Sequence, residues 1–339
     1  MHKNSPIRAA VVGASGYTGA ELLRYLVGHP QVQLGACLAN QQAGEEIAHV
    51  YPSLLGRITG RFERADYGVL GKEHDVVFLC LPHGQSQGPV EELMATGCKI
   101  VDLGADFRFA DAGAYQNTYG EPHRCPELLE KAVYGMPEMN RNAIVSAQLV
   151  ANPGCYPTAS LLALLPLIKS KGLDSTVIVD AKSGVSGAGR SAKISSLYCE
   201  VNESVKAYGV GEHRHGPEIE QFAKQPVLFT PHLIPMTRGI LATVYLQKDP
   251  QELQALYNEF YAEEPFVHVL DSGLPSTRSV SGTSRCHLAV CPAHHPGYTI
   301  VVSAIDNLGK GAAGTAVHNL NLLFQLPEET GLESLALAP

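Results

Sequence analysis

The chain has 339 residues, 45% of them hydrophobic and 17% charged, and a formal net charge of −8. That length supports a large core and favours two domains over one. The acidic balance argues against general binding of nucleic acid or an anionic membrane, while leaving room for a local basic pocket that takes a small anion.

The first element is a short β-branched strand, Ile7–Val12, followed by the glycine-rich turn "GASGYTG". Leu22, Leu23 and Leu26 then recur at helical spacing until His29-Pro30 stops the run. Strand, turn and helix together make a phosphate cradle, because glycines let the backbone approach a pyrophosphate and helix-start N–H groups face it. Gly13, Ser15, Gly16, Tyr17, Thr18 and Gly19 are the candidate cofactor contacts. The spacing is GxxGxxG rather than GxGxxG, and a purely structural turn is the ordinary alternative. "VQLGACLAN" is predicted as the second strand. It ends in Ala39-Asn40-Gln41-Gln42, with no acid for a ribose and no Arg for a 2′-phosphate. The missing acid leans towards NADP, and the missing Arg leaves that choice open.

Strands are predicted over 75–84 and 98–107, with a helix over 89–96 between them. Alternating strands and helices predict a doubly wound parallel sheet of Rossmann type. Leu81 and Pro82 fall at a strand's carboxyl end, where such sheets bind ligands, and are further cofactor candidates. His83 beside them reads equally as a loop histidine.

The middle of the chain turns on "NPGCYPTASLLALLPLIKSKG". A short strand over 148–152 precedes it, and Leu161, Leu162, Leu165 and Ile168 follow at helical spacing. Pro157 suits a first helical turn, and Lys169, Lys171 and Gly172 suit an end. Cys155 therefore stands at a helix start, where exposed N–H groups and the helix dipole stabilise a thiolate, the reactive form. The ordinary reading is a packed thiol, which fits most of the eight cysteines. None of them forms a CxxC, which speaks against structural zinc. No signal peptide and no bilayer-spanning apolar run is seen, so a cytoplasmic chain with reduced thiols is expected, with no membrane partner.

A second glycine-rich loop closes 177–193. Ser183, Gly184 and Gly187 offer small groups to a cofactor, and Arg190 and Lys193 offer charge. In "EHRHGPEIEQF", His213 and His215 share one face if extended, and Gly216-Pro217 leads into a helix with Glu218. Either histidine could serve a catalytic thiol. Too few other ligands lie nearby for a metal. The segment 228–246 alternates apolar residues around Arg238, which needs an anionic partner if buried. A strand over 298–305, a loop with Lys310 and with Asn307 as a further cofactor candidate, and a helix over 312–324 end the pattern.

In "GASGYTGAELLR", "GADFR", "NPGCYPT", "SGVSGAGR", "HRHGPEI", "PMTRGIL" and "DNLGKGAAG", the chain resembles the N-acetyl-γ-glutamyl-phosphate reductase family of arginine biosynthesis over nearly its whole length. Aspartate-semialdehyde dehydrogenase is a relative with the same chemistry. The resemblance implies a Rossmann-type NADP domain, residues 1–152 plus a C-terminal helix near 310–330. It also implies a catalytic and oligomerisation domain, 153–309, with a mixed α/β sheet. It implies an NADP(H)-dependent reductase acting on a small acyl phosphate, assembled as a homodimer or homotetramer. Cys155 would form a thioester and a His would act as acid and base. His213 is favoured because Glu218 could orient it, with His215 as the alternative. Arg108, Arg190 and Arg238 would bind the substrate's phosphate and carboxylate. Thr315 departs from the family, where a Gln is common. Rival readings are a homologous acyl phosphate one methylene longer, aspartyl phosphate, or a non-catalytic dinucleotide sensor, which would not need the nucleophile.

Overall fold

The structure, a computed structural model, describes residues 5–337. The chain divides into two compact units: one reaching to Pro153 and taking in Ala312–Glu333, the other Gly154–Gly311 with the tail from Ser334.

The first unit is built on six strands: β1 (Ile7–Val12), β2 (Val32–Leu38), β3 (Val76–Leu79), β4 (Lys99–Asp102), β5 (Ala132–Tyr134) and β6 (Leu149–Ala151). Their order is β2-β1-β3-β4-β6-β5, and every pairing is parallel. β3 and β6 are buried at every position, as strands covered on both faces must be. Strand order reverses between β1 and β3, which opens a crevice at their carboxyl ends. The helix after β1, Tyr17–Leu26, buries Leu22, Leu23 and Leu26. The helix Gly314–Leu323 is buried on all sides, and Asn319 Nδ2 ties it to Gly135 O and Asn152 Oδ1. Behind it, buried His318 meets Glu328 at 2.6 Å, and Glu328 meets Arg141 at 2.8 Å.

The second unit holds a mixed sheet of seven strands: β7 (Val177–Ser183), β8 (Lys206–Ala207), β9 (Val227–Leu233), β10 (Ile240–Leu246), β11 (Val267–Val269), β12 (Cys286–Pro292) and β13 (Thr299–Ile305). The order is β11-β12-β13-β10-β7-β9-β8. The single alternating segment expected over 228–246 is two strands that do not pair with each other, because β7 lies between them and Arg238 sits in their connection.

The helix Cys155–Lys169 packs on β10 and β13 and is buried from Tyr156 to Leu167. Pro166 within it has no N–H to give Leu162 O, the carbonyl four residues back. Tyr261 hydroxyl donates to that carbonyl instead, at 2.5 Å, and Tyr257 hydroxyl donates to Ala163 O. A break in the helix ladder is thus repaired by tertiary partners. On another sheet face Leu228, Ile178 and Tyr245, neighbours across β9, β7 and β10, are 58%, 45% and 38% exposed.

Candidate active site

In the first unit two glycines of the turn stand where the backbone is too close for a side chain. Gly13 has φ +75°, and a Cβ there would stand 2.3 Å from Cys80 O. One at Gly19 would stand 2.5 Å from Gly13 O. No side chain fits at either position, so backbone packs directly on backbone where β1 runs into the Tyr17–Leu26 helix beside β3. Gly16 caps the Tyr17–Leu26 helix with no side-chain bond, so its first N–H groups face outward as an anion cradle would require. Leu81 and Pro82 follow β3 at the same end. Gln42, where an acid was sought, accepts from Ser15 Oγ at 2.7 Å, and Tyr51 hydroxyl donates to Ser15 O at 2.7 Å. Gln42 and Tyr51 thus brace the turn through Ser15, a role that nothing in their local sequence marks.

A buried carboxylate pair, also not anticipated, lies at the carboxyl end of β4. Asp106 accepts N–H bonds from Gly84 and Ser86 and meets His83 Nδ1 at 2.9 Å. Asp102 Oδ1 accepts from Ser86 Oγ and Gly104 N, while its Oδ2 is buried with no hydrogen-bond partner among the described residues. Burial, and then the charge of Asp106, push the Asp102 carboxyl up to about 7. His83 stacks on Tyr119, so it has a structural place of its own. Arg108 is buried. Its Nε donates to Asn152 O at 2.9 Å and its Nη2 to Leu103 O at 3.0 Å, so part of the guanidinium expected to grip an anion holds the backbone after β4 and β6.

In the second unit the helix begins at Cys155, with Gly154 as its cap and no side-chain capping bond. The thiol is partly exposed. Gly311 packs beneath it: a Cβ at Gly311 would stand 2.9 Å from Cys155 Cβ. The helix His215–Ala223 starts at His215 itself rather than after Gly216-Pro217. Glu218, buried in its first turn, accepts the Gly154 N–H at 2.9 Å. That bond fixes the start of one helix against the start of the other.

The expected orientation of His213 by Glu218 is not what the structure has. His213 lies before the helix, and its Nδ1 takes the His215 N–H at 3.2 Å. Its ring sits edge-on to Tyr156, Tyr208, Phe229 and His215. Burial, with the Arg214 charge adding, pushes the His213 pKa down to about 4. His215 is buried, and its ring stands 5.9 Å from that of Tyr156, the residue after Cys155. Tyr156 hydroxyl donates to His232 O and accepts from Tyr208 hydroxyl, both at 3.1 Å. Burial holds the Tyr156 phenol above its ordinary range, hence neutral.

The three glycine-rich or basic motifs of this unit meet in one cluster. Val185 N–H donates to Met236 O, and Ser186 N–H to Thr237 O. Asn307 accepts from Gly239 N–H and donates to Ser186 Oγ, so it clamps loop to turn. Ser183 is buried and donates to Gly184 O. Arg238, only partly buried, pairs with the fully buried Asp306 at 2.9 and 3.1 Å. Arg190 lies on the exposed stretch after Gly189. The cluster offers an anion a guanidinium and backbone N–H groups in the unit that carries the Cys155 thiol, and the first unit's turn offers room for a dinucleotide.

Residues 8–147 match a family model described as the NAD binding domain of semialdehyde dehydrogenase, and 155–307 one described as its dimerisation domain. An N-acetyl-gamma-glutamyl-phosphate reductase of Desulforudis audaxviator is 50% identical over 98% of this chain and 100% of its own. One of Heliobacterium modesticaldum is 48% identical over 98% and 100%. Among solved structures, aspartate semialdehyde dehydrogenase II of Vibrio cholerae aligns over 95% of this chain and 99% of its own, with TM-score 0.73 and 17% identity. The enzyme of Candida albicans, solved with NADP, aligns over 94% and 98%, with TM-score 0.69 and 15% identity.

Proposed function

Since this chain belongs to the N-acetyl-gamma-glutamyl-phosphate reductase family, we infer that Cys155 is the nucleophile through which it reduces N-acetyl-γ-glutamyl phosphate to N-acetylglutamate 5-semialdehyde and phosphate, in arginine biosynthesis. The Cys155 thiolate attacks the acyl carbon. The C–O bond to phosphate breaks, and a thioester forms. The first unit's glycine turn, with Gly13, Gly16 and Gly19, would hold NADPH, which when bound would supply the hydride needed to bring the thioester to the aldehyde level. A histidine donates a proton to the thiohemiacetal oxygen and takes it back as the C–S bond breaks and the aldehyde leaves.

We assign that proton transfer to His215 rather than His213. A histidine with pKa near 4 is a poor proton donor at neutral pH, and the His213 Nδ1 is already occupied. His213 then serves as a neutral support that receives the N–H at the start of the His215 helix. The observation that carries the assignment is the Glu218–Gly154 bond, which fixes the His215 helix at the residue before the thiol.

Gly13, Ser15, Gly16, Tyr17, Thr18, Gly19, Leu81 and Pro82, with Ser183, Gly184, Gly187 and Asn307, remain proposed cofactor contacts. Arg190 and Arg238 are proposed for the substrate's anionic groups, and Arg108 for these or for scaffold alone. The exposed face of Leu228, Ile178 and Tyr245 is proposed to pair with a second copy, in line with the dimerisation domain the family model describes. No helix among the described residues is long and apolar enough to cross a membrane, and a cytoplasmic setting is proposed.

The test is purified protein with NADP, phosphate and N-acetylglutamate 5-semialdehyde. Phosphate-dependent NADPH formation is expected. Its absence, with turnover of aspartate semialdehyde, would reassign the substrate. His215→Gln should lower kcat by about 10²- to 10⁴-fold and His213→Gln by far less; the reverse would return the role to His213.

A further inference from the structure

Asp306 is a fully buried carboxylate with no part in the chemistry above. It stands just after β13, and five hydrogen bonds converge on it. Arg238 Nε and Nη2 donate to its two oxygens at 2.9 and 3.1 Å. Gly282 N–H donates to Oδ2 at 2.6 Å, and Leu308 and Gly309 N–H donate to Oδ1, both at 2.9 Å. A carboxylate held on both oxygens by backbone cannot swing, so it fixes the plane of the bidentate guanidinium. The next residue, Asn307, accepts the Gly239 N–H at 2.7 Å. Consecutive residues therefore pin both the head of Arg238 and the backbone beside it. From the same residue, the Asp306 carbonyl accepts the Gly311 N–H at 2.9 Å, and Gly311 packs directly beneath Cys155.

We propose that Asp306 is a positioning residue that sets the spacing between the Arg238 guanidinium and the Cys155 thiol, and so the length of acyl chain this enzyme accepts. The inference rests on the reading of Arg238 as an anchor for a substrate anion. If one end of the substrate is held by Arg238 and the acyl carbon must reach the thiol, a fixed span favours one number of methylenes. One methylene changes binding by roughly 10- to 200-fold in well-shaped sites. A loosened guanidinium should erase part of that preference.

The experiment measures kcat and KM in the oxidative direction, with NADP and phosphate, for N-acetylglutamate 5-semialdehyde and for the N-acetylated semialdehyde one methylene longer. Arg238→Ala first tests the anchor. It should raise KM for the shorter aldehyde by about tenfold or more while leaving KM for NADP unchanged. If it does not, the anchor reading fails and the proposal falls with it. Given an anchor, Asp306→Asn should raise the same KM several-fold and lower the ratio of kcat/KM between the two aldehydes at least fivefold. The double variant should be no worse than Arg238→Ala alone, since Asp306 acts through Arg238. Additive losses, or an unchanged chain-length ratio in Asp306→Asn, would overturn the proposal and leave the anchor standing. Should Asp306→Asn not fold, Arg238→Lys decides: it keeps the charge but not the fork, so it should lose the length preference. A preference equal to wild type in Arg238→Lys would refute the proposal.

Discussion

Placing a methyl group on Gly311 perturbs the nucleophile without touching its chemistry. In Gly311→Ala the new Cβ would start 2.9 Å from Cys155 Cβ, 3.3 Å from Cys155 Cα and 3.3 Å from Asp306 O. Carbon atoms in comfortable contact stand about 3.5–4.0 Å apart, so roughly 0.6–1 Å of room must be found. The Asp306 side is held by five hydrogen bonds. The thiol side is held by a single such bond, from Gly154 N–H to Glu218, so it is the softer one and Cys155 is the group that moves. A displacement near 1 Å costs about 10²-fold in rate, and overpacking costs about 1–3 kcal/mol of stability. The expected result is kcat for phosphate-dependent NADP reduction down by ~30- to 100-fold, KM for NADP unchanged, and a lower but still cooperative melt. A kcat within twofold of wild type would refute the packing argument.

Three further outcomes follow from the same structure. The folded-state pKa of His213 is depressed to about 4 from 6.5, so its contribution to stability is present above 6.5 and is lost as pH falls towards 4; His213→Phe should lose less Tm than wild type over that interval. Asp102 is raised from 3.8 to about 7, so its contribution is present below 3.8 and is lost as pH rises through 7. Asp102→Asn should therefore melt with less dependence on pH between about 4 and 7, and an unchanged slope would show that burial does not raise this carboxyl as described. Gly13→Ala meets Cys80 O at 2.3 Å with φ +75° and should lose NADPH affinity by at least tenfold in fluorescence titration while keeping Cys155 alkylation. Normal NADPH binding would remove the turn from the cofactor site.

What could be read from sequence was local. Gly13 and Gly19 announce a close backbone approach, and the leucine spacing after Pro157 announces the helix that Cys155 begins. The misses were contacts between residues far apart in the chain. Arg238 called for an anionic partner, but Asp306 lies 68 residues away and nothing in its own surroundings marks it. Glu218 was paired with His213 because they are close in sequence. The helix begins at His215, so Glu218 shares a face with His215, three residues before it, and its carboxylate reaches Gly154, 64 residues back. Alternation over 228–246 gave no sign that β7 would part β9 from β10. The buried Asp102–Ser86–Asp106 group was hidden because each residue, read singly, looks like a turn former.

The central claim is that Cys155 carries the acyl group. Incubating the protein with N-acetyl-γ-glutamyl phosphate in the absence of NADPH should add one N-acetylglutamyl group per chain by intact mass. The group should map to the peptide holding Cys155, come off with hydroxylamine, and be absent in Cys155→Ser. An adduct on another residue, or an undiminished adduct in Cys155→Ser, would contradict the account.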